Sequence, residues 1–175
     1  MKSTHRNRFF LCLILVFYFL SGCTINYIPK KYPIKSNAIP HFTSLKPITI
    51  INALKGCPKE VIVGVADPYT HVGDLSSYTQ TAVDLLVSEL EKKNIPTLEN
   101  GKKVIRLEVL KASLFYSGFT YKTNIILKAE IGSGYDREYH VINSSGLYDR
   151  SIDGAVTKSV TALLNDPQII AYIEK

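Results

Sequence analysis

An α+β fold is predicted: a largely antiparallel sheet with helices packed on one face, in the order β-β-α-β-β-β-α-α. Three observations carry it. Residues 103–148 contain three runs in which apolar and polar side chains alternate, the pattern of strands with one buried and one wet face. Two other stretches, 78–93 and 152–164, repeat apolar residues at intervals of three and four, the stripe a helix lays against a sheet. Turn formers separate these runs, and 175 residues suffice for one domain with its own core.

In chain order, the first segment reads as an address rather than as structure. Lys2, Arg6 and Arg8 precede an unbroken apolar run at 9–20, FFLCLILVFYFL. Twelve residues are too few to span a bilayer, which needs about 20, but they fit the apolar region of a secretory signal. Leu20-Ser21-Gly22-Cys23 follows, a lipobox pattern. Residues 1–22 are expected to be a lipoprotein signal peptide, cut between Gly22 and Cys23, with Cys23 acylated. Several acyl chains hold a protein firmly on a membrane. Removing the segment takes away three basic residues and no acid, halving the net charge of +6. That modest charge and an extracytoplasmic location argue against nucleic acid as a partner. Thr24, where an aspartate would favour inner-membrane retention, points to the outer membrane with the body facing the periplasm.

Residues 23–46 read as the lipidated N-terminus and a Pro-rich tether, because Pro29, Pro33 and Pro40 prevent a helix and favour extended chain. Ile25, Tyr27, Ile28, Tyr32 and Ile34 are more apolar than a spacer needs and leave open an edge strand lying across the domain. The α+β domain is expected over 47–175. Two short β-branched runs, 47–54 and 60–66, flank the turn Lys55-Gly56-Cys57-Pro58, and 69–76 reads as a loop. A helix over about 78–93 carries Tyr78, Ala82, Leu85, Leu86 and Leu90, with Ser77 and Gln80 as a capping box and Glu89 near the wet side. In 103–116 the alternation slips at Leu110, which predicts a β-bulge. Residues 120–131 alternate cleanly, putting Tyr121, Thr123, Ile125, Leu127, Ala129 and Ile131 on one face and Lys122, Asn124, Lys128 and Glu130 on the other. A third strand covers 135–148, with Tyr135, Tyr139 and Val141 in phase. Ser151 is the expected cap of the next helix, and Asp166-Pro167 reads as cap and first-turn proline of a last short one.

Little in the chain points to catalysis. Cys57 is the one cysteine outside the signal besides Cys23, so no disulfide is expected. His41, His71 and His140 lack metal-ligand spacing, and neither Gly64 nor Gly132-Ser133-Gly134 begins a phosphate loop, so no metal, cofactor or catalytic residue is assigned. A hydrolase alternative has to rest on 67–77, which holds Asp67, His71 and Asp74. Tyrosines recur near turns at 116, 121, 135, 139 and 148; tyrosine suits half-buried rims and interfaces. Tyr121, Lys122, Asn124, Lys128 and Tyr139 form the candidate binding surface for an envelope protein partner.

The stretches Ala82–Leu90, Leu107–Tyr116, Tyr121–Ile131 and Ala155–Ile173, behind a lipobox, resemble the small YajG-like lipoproteins of Gram-negative bacteria. The resemblance implies the fold and the envelope location; that family brings no catalytic residues to carry over. The expected function is a membrane-anchored, non-enzymatic envelope lipoprotein with an accessory or binding role. Alternatives are an auxiliary lipoprotein of an envelope transport or assembly system and a small extracytoplasmic hydrolase.

Overall fold

The computed structural model describes residues 23–66 and 69–175. The signal peptide, Gly22 of the cleavage pair and Asp67-Pro68 lie outside the described residues.

The clean alternation of the third quarter of the chain builds the centre of the molecule. Strands β5 (Lys103–Ser117), β6 (Thr120–Ile131) and β7 (Asp136–Ser145) form an antiparallel meander. Gly118, at φ +66°, turns β5 into β6. The slip at Leu110 is a β-bulge: register shifts between Val109 and Lys111, so Val109 and Ala112 both face inward. Strand β2 (Ile48–Asn52) adds to the other side of β5 in parallel, giving the sheet order β2-β5-β6-β7.

Helix α1 (Leu75–Lys92) and helix α2 (Tyr148–Leu164) cover one face of this sheet, and short α3 (Pro167–Glu174) follows. Leu85, Leu86 and Leu90 from α1 and Val156, Val160 and Leu163 from α2 meet Ile105, Leu107, Ile125 and Leu127 of the sheet, all buried. The architecture is therefore α+β in the expected order, with two additional strands.

The first is β4 (Tyr69–Asp74), where a loop was expected. It pairs antiparallel with β3 (Glu60–Ala66). The turn at 55–58 thus makes no hairpin, because β2 and β3 belong to different sheets. Gly64 lies against the β5 backbone: a Cβ there would sit 2.2 Å from the Leu114 carbonyl oxygen. The second is β1 (Cys23–Asn26), which pairs in parallel with β4 to give the order β1-β4-β3.

That strand begins the main correction to the sequence reading: residues 23–46 are no spacer. After β1, Tyr27 and Lys30 both bind the buried Asp153 of α2, and Thr81 of α1 donates to the Pro29 carbonyl at 3.0 Å. Ile34, Ile39 and Phe42 are buried in the core, and Asn165 holds the Ala38 carbonyl. Burying three such side chains contributes about 2 kcal/mol each before ordering costs. The prolines keep the segment extended, and its apolar residues fasten it as a strap across both long helices.

Two helix caps also differ from expectation. Asp74 caps α1, accepting from the backbone N–H of Ser76 and Ser77, three residues before the expected Ser77. Gln80 instead meets Asn52 and Asp84. Ser151 lies inside α2 and is buried; its hydroxyl bridges Thr123 to the Tyr121 and Asn143 carbonyls. Asp166 caps α3 as read, with Pro167 in the first turn.

Candidate functional site

Strand registers determine which groups share each end of the molecule. Leu75 N donates to the Lys59 carbonyl, and Asn52 reaches the Ser76 carbonyl, so the start of β3 and the end of β4 lie beside the end of β2. From there β3 runs along β5, with Gly64 at Leu114, and its far tip comes to the β5–β6 turn. Cys23 pairs with Tyr69 at that same tip. The exposed Cys23 thiol therefore stands at one end of the molecule with the 117–120 hairpin turn and the start of α2.

The face of the large sheet away from the helices is open, and β6 supplies its middle row. Lys122, Asn124 and Lys128 point to it as expected. Tyr121 and Tyr139 do not: both fall on the opposite, helix-covered face, in phase with Thr123 and Leu127, so the five-residue candidate surface is split. The hydroxyl of Tyr139 donates to Asp166 at 2.8 Å, and burial with this bond pushes its pKa well up. Tyr135 and Arg137 bind the same oxygen. These hydrogen bonds hold the Asp166 carboxyl below its usual range despite burial. Tyr139 and Tyr135 thus anchor the corner between α2 and α3.

Cross-strand neighbours give the open face a polarity. Its rows nearest the Cys23 end are Phe115–Lys122–Ser144, Ser113–Asn124–Ile142 and Lys111–Ile126–His140. The two rows farther away are Glu108–Lys128–Glu138 and Arg106–Glu130–Asp136. Every carboxylate of these five rows lies in the far two, while Lys111 and Lys122 stand in the near three. Lys128 reaches Asp136 at 3.5 Å and Glu138 meets His140 at 3.2 Å, so part of the far charge is tied up within the face.

Between the two sheets lies an aromatic cluster that sequence reading scattered among turns. His71 packs 4.9 Å from the Tyr148 ring and 6.5 Å from Tyr121; Tyr27 and Tyr116 complete the group. His71 is 2% exposed, and neither ring nitrogen has a hydrogen-bond partner among the described residues. Burial lowers its pKa and keeps it neutral. Asp74 is engaged by Lys59, Ser76 and Ser77 as a helix cap. His71 and Asp74 make no hydrogen-bonded pair, and Asp67 lies outside the described residues.

A cleft of about 420 Å³ opens between the strap and the end of α1, lined by Ile34, His41, Phe42, Glu89, Lys92 and Lys93 among others. The strap covers Glu89, which the helical pattern alone puts on the wet side; its carboxylate pairs with Lys92. The Lys93 ammonium lies over the Phe42 ring and donates to the Pro40 carbonyl. Lys93 thus holds the strap end, while Lys92 is paired within the helix. Among the described residues no cluster of three His, Cys, Asp or Glu side chains could hold a metal ion, and no helix is long and apolar enough to cross a membrane.

With this geometry in view, the chain is similar in fold to a solved protein of Xanthomonas campestris assigned to the family DUF330. The TM-score is 0.57 at 14% identity, over 85% of this chain and 95% of that one. No protein-family model and no curated protein matches the sequence. The likeness is one of fold and brings no site residues with it.

Proposed function

We propose that this protein is a non-enzymatic bacterial envelope lipoprotein, YajG-like in kind. It is anchored through acyl groups on Cys23 at the outer membrane and faces the periplasm. The observation that carries this reading is the joint occurrence of a basic start, a twelve-residue apolar run and Leu20-Ser21-Gly22-Cys23. Its support is that Cys23 is the exposed first residue of an edge strand, reachable by modifying enzymes. A non-enzymatic role is supported by how the best candidate groups are used. Asp74 caps a helix, His71 has no hydrogen-bond partner among the described residues, and Glu89 pairs with Lys92 beneath the strap. Catalysis needs an acid, base or nucleophile converging on one open site. The outer sheet face around Lys122, Asn124 and Lys128 is the surface we assign to an envelope protein partner.

Intact-mass analysis of the membrane fraction tests the anchor. A chain beginning at Cys23 with added acyl mass is expected, and Cys23→Ala should leave an unprocessed precursor. A cleaved, unmodified chain in the soluble fraction would sink the reading.

A further inference from the structure

We propose that the Cys23 end of the body is itself a membrane-contacting surface, with the β5–β6 hairpin tip seated at the interface of an anionic phospholipid bilayer. This rests on the anchoring reading and deepens it. Three observations lead to it.

First, the strap removes the slack. Residues 27–42 are fastened to Asp153, Thr81 and Asn165, so no spacer remains between Cys23 and the folded body. Cys23 is itself the first residue of β1. Acyl groups on Cys23 would bring the edge of the sheet directly to the lipid.

Second, that end of the body displays apolar side chains of the kind an interface accepts. Phe119 is 95% exposed on the hairpin turn, and Phe115 and Tyr116 flank it on β5. Val65 and Tyr69 stand at the β3–β4 tip beside Cys23, and Leu147 precedes α2; each is exposed. Grouped exposed side chains of this size mark an interaction surface rather than ordinary scatter. The other exposed large hydrophobics are spread over the molecule: Ile28 and Tyr32 on the strap, Ile62 in β3, Ile142 on the open face, and Leu45 and Leu98 at the opposite end. Aromatic rings with an aliphatic neighbour are suited to the boundary between headgroups and acyl chains.

Third, the charge is graded to match. Lys122 and Lys111 stand in the near rows of the open face, while Glu108, Glu138, Glu130 and Asp136 are held in the far rows. Orientation with the near end down places Lys122 and Lys111 by anionic headgroups and carries the carboxylates of the open face away from them. Lys122 then stands at the lipid-side margin of the surface assigned to a protein partner, with Asn124 and Lys128 progressively farther from the bilayer.

The chain has no tryptophan, so one introduced residue reports alone. Phe119→Trp, and Ser133→Trp in the opposite turn, are made in the full chain. Each is purified from membranes in detergent and reconstituted into vesicles of phosphatidylethanolamine and phosphatidylglycerol, with or without brominated acyl chains. Mass analysis of the same samples scores acylation. The expected result is acylated protein in which bromolipid quenches Phe119→Trp at least about twofold more than Ser133→Trp, with a blue-shifted emission. Equal, weak quenching of the two in acylated protein overturns the docking surface and leaves the anchor standing. Blue-shifted but unquenched emission from Phe119→Trp means that a second copy or another protein covers the tip, which also overturns it. Chains without acyl mass refute the anchor and take this proposal with them, a failure the mass alone identifies.

Discussion

Two buried carboxylates fasten the two outlying segments of this protein, and they do so under opposite electrostatic terms. Asp166 ties α3 to β7: Tyr135, Tyr139 and Arg137 reach one oxygen, and Gln168 N–H the other. Its pKa is held below the ordinary 3.8, because the hydrogen bonds outweigh burial. Asp153 ties the strap to α2, accepting from the Tyr27 hydroxyl and the Lys30 backbone N–H. Its pKa is raised, because burial outweighs those bonds and Asp149 adds a like charge. The fold thus favours the charge of Asp166 and only tolerates that of Asp153. Asp153 is the more strongly desolvated and has an acidic neighbour, whereas Asp166 has more donors, one of them cationic.

The largest expected break of this comparison is Asp166→Ala. It removes a helix cap and leaves two tyrosine hydroxyls short of their acceptor, one of them buried, so a loss of about 3 kcal/mol is expected in chemical denaturation. Asp153→Ala should cost about 2 kcal/mol and expose the strap to protease, since the Lys30 N–H and Tyr27 hydroxyl lose their acceptor. Limited proteolysis should then cut first within 27–42 and leave the helices intact. Cutting in α3 instead would show that the two clamps are not independent.

Isosteric amides sharpen the contrast. Asp166→Asn should destabilise at neutral pH, whereas Asp153→Asn should be neutral or stabilising, by about 1 kcal/mol at most. Acid titration should separate them too. A lowered folded pKa gives stability that is present above 3.8 and lost as pH falls through the folded value of Asp166. A raised one gives stability that is fully present below 3.8 and lost as pH rises through the folded value of Asp153. Amide exchange in the strap, relative to α3, should therefore slow on moving from neutral pH towards 3.8. Asp153→Asn should abolish that trend.

His71→Leu gives a comparably small effect, at the strand to which β1 pairs. Two orphaned ring nitrogens leave the core, so stability should rise by about 1 kcal/mol at neutral pH. The lowered pKa of His71 means the wild type loses stability as pH falls below the ordinary 6.5, and the variant should lack that slope. A variant less stable than wild type would show that the ring is held by an interaction beyond aromatic packing.

The same pair of clamps explains what could be read in the chain. Asp166 was legible because its partners in the cap are local and Asp-Pro is helix grammar. Asp153 was not, because its two donors lie 126 and 123 residues away, and a mid-helix acid ordinarily faces water. Prolines in 29–40 speak for extended chain but not for what that chain lies on. For β6, strict alternation gave both faces, yet pairing Tyr121 and Tyr139 with Lys122 chose residues for chemical type over phase. Strand β4 was hidden because Gly73 and Asp74 look like a loop. Gly73 lies so close to the Tyr78 ring that a Cβ would meet it at 2.7 Å, and Asp74 is the cap of the next helix.

The Tyr27–Asp153 bond also dictates an order of assembly. A chain emerging from its N-terminus presents residues 23–46 long before α2 exists, and closing a loop of 126 residues is entropically costly. The strap must wait, extended, for the helices it crosses, while the local β5–β6–β7 meander can form without it. Until the last helices are in place the strap is open chain, with Ile34, Ile39 and Phe42 uncovered; once they are, all three are buried. The 126 positions that separate Tyr27 from Asp153 therefore also set how long this apolar segment has to be kept from misplaced pairing before its own docking site exists.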